Sequence, residues 1–214
     1  MSATIPRAQG EGPSALVLMA GGGAAPFESA QALIGGRQNV SPKRLIEPGP
    51  TGEQLGEMLA LAAAAPDHGQ LMPWRFVIVP SHKRDLLAEV FALALIDRDA
   101  GATLVQIDAA REKAHRAPLL MLAIARLGST EPDIPSVERL VSLGAAIQNL
   151  LLAAHALGFG SGLTSGQAMG SRRTRELFAL ADSEVPVCFV NIGTVARHKP
   201  PRVRPAAEVF CSTL

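Results

Sequence analysis

The chain has 214 residues, a formal net charge of +1, 48% hydrophobic residues and 18% charged ones. That much apolar material excludes a wholly disordered chain, and the length fits a single domain. A near-neutral chain with seven Phe, one Trp and no Tyr is also a poor nucleic-acid binder, which needs a basic surface with stacking aromatics.

Residues 1–26 contain Ala15–Ala20 (ALVLMA) and then Gly21-Gly22-Gly23. The apolar run is short. Only Arg7 precedes it, and Glu11 dilutes that charge, so a flexible N-terminal extension is expected rather than a cleaved leader. No unbroken apolar stretch reaches the roughly 18 residues of a spanning helix, and no membrane partner is expected.

Phe27–Ile34 predicts a short amphipathic helix closed by Gly35-Gly36. A loop rich in Arg, Lys and Pro follows over 37–50. Thr51 with Gln54 three residues on is a capping box, opening an Ala-rich helix to about Ala65, before Pro66. Residues 66–73 read as loop and Trp74–Val79 as a strand. Helices are expected over Ser81–Ile96 and Thr103–Arg116. Leu119–Ala125 (LLMLAIA), between Pro118 and Gly128, reads as a buried strand. Residues 129–135 form a surface loop. Ser136–Leu157 is apolar at nearly every turn on all sides, which predicts a central buried helix. Gly158 ends it, and the glycine-rich segment 158–166 (GFGSGLTSG) follows. Ser171–Leu180 predicts a helix, Val185–Val195 a third strand, and the basic, Pro-rich tail an extended end. Helices and strands alternate without strict βαβ repetition, so an α+β domain is favoured over a doubly wound sheet.

Several familiar chemistries are missing. There is no G-x-S-x-G elbow, Walker A loop, H-E-x-x-H, C-x-x-C or EF-hand. Gly158-x-Gly160 is followed by Leu163 where a Rossmann fingerprint needs glycine, and it follows a helix rather than a strand. No metal site is expected. Cys188 and Cys211 form no disulfide framework and fit a reducing cytoplasm, with Cys188 a small core residue. His82, His115 and His155 read as solvated or core-edge residues, whereas His68 lies in a loop between helix and strand.

Three segments suit an anionic, planar ligand. Arg37-Gln38-Asn39 offers a guanidinium just past a helix, with a fork of donors for phosphate. Gly160–Gly166 offers close backbone approach, with hydroxyls from Thr164 and Ser165. The tail offers Lys199, Arg202 and Arg204. Each has an ordinary alternative: a solvated surface arginine, a plain connecting loop and a solvated terminus.

Read together, four stretches resemble a known family: Arg37–Leu45 (RQNVSPKRL); Ala65-Pro66-Asp67-His68 with Pro73-Trp74-Arg75-Phe76; Gly144–Leu150 (GAAIQNL) with Ala154 and Leu157-Gly158-Phe159-Gly160; and Ile192-Gly193-Thr194. The chain resembles the FMN-dependent nitroreductases, in particular their small bacterial NAD(P)H-dependent members. The resemblance implies an α/β/α sandwich around a mixed, mainly antiparallel sheet. It also implies one FMN-binding domain over 27–214 and a homodimer with FMN at the subunit interface.

By position, Arg37, Gln38 and Asn39 would hold the FMN phosphate and ribityl chain. The family usually shows Arg-Arg-Ser there, so a two-arginine clamp is missing. Ala64 and His68 match positions that reach FMN from the partner subunit, and Leu163, Thr164 and Ser165 match the segment lining the flavin. Residues 153–158 match a stretch assigned to NADP in relatives, although most should be buried in a helix. Trp74 would pack where its strand begins. The implied activity is hydride transfer from NADH or NADPH through flavin N5 to a nitroaromatic, quinone or related acceptor, with no protein nucleophile. Flavin fragmentation, reductive dehalogenation and non-catalytic flavin sensing are the alternatives on the same fold.

Overall fold

The computed structural model describes residues 24–128 and 133–214. The expected extension therefore lies outside the described residues as far as residue 23, and so does the expected surface loop over 129–132. The helices are α1 (Ala24–Gly36), α2 (Gly52–Ala62), α3 (Arg84–Arg98), α4 (Leu104–Arg111), α5 (Ser136–Ala156) and α6 (Arg172–Leu177). The strands are β1 (Leu45–Ile46), β2 (Trp74–Ile78), β3 (Leu119–Arg126), β4 (Gly160–Thr164) and β5 (Glu184–Val195).

Helix α2 begins where its capping box predicts. Gln54 N donates to Thr51 Oγ1 at 3.2 Å and Thr51 N donates to Gln54 Oε1 at 2.9 Å, satisfying two end groups reciprocally. The helix stops at Ala62 rather than Ala65. The expected 103–116 helix splits into α4 and a 3-10 turn, Glu112–His115. Residues 24–26 belong to α1 rather than to the extension.

The sheet runs β1-β5-β3-β2, with β4 also paired to β5, and every strand pair is antiparallel. A single parallel bridge, Asn39 to Ser161, makes it mixed. Strand β3 is apolar from Leu119 to Ala125 because both of its faces are covered. Met121, Ala123 and Ala125 pack with α2 and α5, while Leu120, Leu122 and Ile124 pack with α3 and α4. The result is a three-layer α/β/α sandwich. Trp74 is buried at the start of β2, and its Nε1 donates to Ser142 Oγ on α5 at 3.3 Å.

Helix α5 departs from the sequence reading. Leu143, Ala146, Ile147, Leu150 and Ala154 are buried against the sheet and α2, but Val137 and Val141 are 62% and 68% exposed. Leu61 of α2 is exposed as well, so both helices keep apolar side chains uncovered. One chain supplies a sheet to only one side of this helix. By length and composition α5 is able to cross a membrane, yet half of its most apolar stretch is buried inside the protein.

Candidate functional site

The three segments singled out in the sequence meet at one end of β4. The chain leaving α1 runs beside this strand, with Val40 N donating to Ser161 O at 2.8 Å and Leu163 N to Asn39 Oδ1 at 3.4 Å. This approach explains the glycines. A Cβ on Gly162 would collide with the Val40 carbonyl oxygen, and one on Gly160 with the Val195 side chain. Residues 160–164 are thus a strand whose glycines admit close neighbours, not the connecting loop that was the ordinary alternative. The tail closes the cluster, with Arg204 Nη2 donating to Arg37 O at 3.2 Å.

Around this junction lies a basic cavity of about 270 Å³. Arg37, Arg44, Arg197 and Lys199 line it with His155 and His198, and no acidic residue does. Two buried side-chain atoms among the described residues have no hydrogen-bond partner, Arg37 Nε and Ser161 Oγ, and both residues line this cavity. Buried polar groups are almost always paired, so two orphans in one cavity mark a missing partner. Burial, and after it the Arg204 charge, hold Arg37 below the ordinary arginine value. A cation flanked by cations and short of acceptors is a site for an anion.

Beyond the same junction lies a larger cavity of about 580 Å³. Phe91, Leu95, Leu120 and Phe189 give it apolar walls, and Phe91 meets Phe189 edge-on at 5.6 Å. Thr164 and Ser165 line its polar side, and Arg98, Lys113 and Arg116 also border it. An apolar slot with a few convergent polar groups is the usual form of a small-molecule site.

The sequence-flagged residues therefore divide. Arg37, Gln38 and Asn39 line the basic cavity, and Thr164 and Ser165 the apolar one. Leu163, between the two sets, lines neither. Ala64 and His68 are exposed on the α2–β2 connection and line neither cavity of this chain. His68 Nδ1 lies 2.8 Å from Glu138 Oε2 on α5. Its loop holds Gln70 and Met72 at φ 52 and 45, a left-handed strain typical of functional segments. In the stretch 153–158, Ala153 and Ala154 are buried, and only His155 and Gly158 reach the basic cavity. Sequence reasoning did not single out Arg44, Arg197, His155 or Ser161. The two arginines lay in recognisably basic segments, Ser161 inside the glycine-rich segment and His155 inside the 153–158 stretch, but neither of the last two was given a role of its own.

Comparison with known proteins agrees with this fold. The profile of the Nitroreductase family matches residues 45–194. A relative from Haemophilus influenzae, named provisionally as a NAD(P)H nitroreductase, is 32% identical over 72% of this chain and 83% of its own. The crystal structure of a nitroreductase-like family protein from Bacillus cereus superimposes with a TM-score of 0.74 at 17% identity, covering 86% of this chain and 94% of that one. An FMN- and NADPH-dependent nitroreductase mutant from sphigopyxis sp. strain HMH superimposes with a TM-score of 0.68 at 14% identity, covering 86% and 98%.

Proposed function

The chain belongs to the nitroreductase family, and from that membership we propose that it is an FMN-dependent oxidoreductase. It carries hydride from NADH or NADPH to a nitroaromatic, quinone or related acceptor. The observation that carries the flavin reading is the pair of buried, partnerless atoms, Arg37 Nε and Ser161 Oγ, in a basic cavity without acids. A phosphate monoester brings the acceptor oxygens and negative charge that this donor set lacks.

Arg37, with Lys199 and Arg204 beside it, holds the FMN phosphate in this reading. Gln38 and Asn39 replace the family's second arginine and its serine, so their amides serve the ribityl hydroxyls rather than the charge. When bound, FMN supplies a ring nitrogen that accepts and returns hydride, so the chain needs no nucleophile of its own. The chain's part is to bind, orient and exclude water. Thr164 and Ser165 present hydroxyls to the larger cavity, and its phenylalanine and leucine walls keep water from the ring site.

A homodimer completes the site in this reading. The exposed apolar side chains of Val137, Val141 and Leu61 support an apolar interface. Ala64 and His68 then come to the flavin from the second copy, as their exposure on this one permits.

The test is the absorbance spectrum of the purified protein with FMN, before and after anaerobic NADPH. A yellow protein bleached by NADPH, and recoloured by a nitroaromatic or quinone, is expected. Bound flavin that neither NADPH nor NADH bleaches identifies a sensing protein instead. A colourless protein that takes up no FMN contradicts the reading altogether.

A further inference from the structure

Asn191 sits in the middle of β5, 2% exposed, on the wall of the larger cavity. Its Nδ2 shares two hydrogens among three acceptors, Gly162 O at 3.2 Å, Phe189 O at 3.3 Å and Thr164 Oγ1 at 3.0 Å. The two carbonyl oxygens only accept, so they fix which end of the amide is nitrogen; a flipped amide would set Oδ1 against both. Two consequences follow. Thr164 Oγ1 already accepts from Nδ2, so its own proton is available to the cavity. Asn191 Oδ1, pinned away from those carbonyls, has no partner among the described residues and is not among the atoms sealed without one.

We propose that Asn191 Oδ1 and the Thr164 hydroxyl form an adjacent acceptor and donor that read an imide edge, N–H beside C=O, of the ring bound in this cavity. This rests on the flavin reading, because the pyrimidine end of a flavin carries such an edge at N3 and its flanking carbonyls. Asn191 accepts from N3–H, and Thr164 donates to a neighbouring carbonyl oxygen. Asn191 also orients Thr164, since without the Nδ2 bond the hydroxyl is free to turn away. A site that pairs a buried polar group with a ligand N–H rejects an analogue lacking that N–H, because the protein acceptor is then stranded.

The experiment compares binding of FMN and N3-methyl-FMN to the full chain, followed by fluorescence quenching. The wild-type protein is expected to favour FMN by at least about tenfold. Asn191→Ala removes this preference, weakening FMN far more than N3-methyl-FMN. Thr164→Val weakens both flavins alike and keeps the preference. A merely structural Asn191 would lower both affinities in parallel and leave their ratio intact. That result, or equal binding of the two flavins by the wild-type protein, overturns the proposal. If Asn191→Ala does not fold, the wild-type ratio and Thr164→Val still decide it. Failure of the wild-type protein to bind FMN at all refutes the flavin reading instead, which separates the two failures.

Discussion

Arg84 and Arg37 carry the same side chain in opposite circumstances. Arg84 is 5% exposed at the start of α3, where Nε donates to Val79 O at 2.8 Å, Nη1 to Ala114 O at 2.7 Å and Nη2 to Pro118 O at 3.1 Å. It ties the ends of β2 and β3 to the α4 side of the sheet. Arg37 is half-buried, its Nε lacks a partner, and its charged neighbour is another arginine. Burial lowers both from the ordinary arginine value, so the shift alone does not tell them apart. The acceptors do. A guanidinium saturated by carbonyls belongs to the fold, and one left short of acceptors in a cavity belongs to a ligand.

The largest effect should fall on the saturated arginine. Arg84→Met strands three buried or half-buried carbonyls and should lower unfolding stability by about 4 kcal/mol. Urea unfolding measures it, and FMN affinity in the fraction still folded should be unaltered. Arg37→Ala should do the reverse. It weakens FMN binding by about 1–3 kcal/mol and leaves the urea midpoint without ligand where it was. A large loss of stability there would erase the contrast between the two.

Arg75 offers an intermediate case, an arginine satisfied by a buried carboxylate. Its Nε and Nη2 meet Glu184 Oε1 and Oε2 at 2.7 and 2.8 Å. The hydrogen bonds from Arg75 hold Glu184 well below the usual carboxylate range, at about 2. A depressed acid contributes its full stability above its unfolded value and loses it as pH falls through the folded one. The loss should therefore run from about pH 4.5 down to about 2. Glu184→Gln should cost about 2 kcal/mol at pH 7 and flatten that part of the stability profile. Urea midpoints at pH 7 and 3 for both proteins check this. The smallest effect is expected from Arg204→Ala at the exposed tail. FMN affinity should fall roughly threefold, with no change in stability, since exposed charges contribute little.

How far the sequence carries depends on how local each cause is. The capping box of α2 needs only Thr51 and Gln54, and it opens the helix where expected. Strand β3 was legible because an apolar run this short, bounded by Pro118 and Gly128, favours a strand covered on both faces over a helix. Strand β4 was not legible, because Gly160 and Gly162 answer to Val40 and Val195, which are distant in sequence. Two-residue β1 is too short to leave a pattern. Helix α5 was read as buried all round because apolar periodicity does not distinguish a core from a surface awaiting a second chain. Arg37, Gln38 and Asn39 stood out by composition, and Thr164 and Ser165 by their glycine-rich setting. Ser161 shared that setting, but its lack of a partner is a product of the fold, as is the pinning of the Asn191 amide by carbonyls.

The central claim is that Arg37 binds the flavin's phosphate, and comparing FMN with riboflavin isolates that group. Titration calorimetry of the wild-type protein should show FMN binding at least about tenfold tighter than riboflavin. Arg37→Ala should narrow the gap by weakening FMN alone. Equal affinity for the two flavins, or an equal loss of both in Arg37→Ala, would contradict the account.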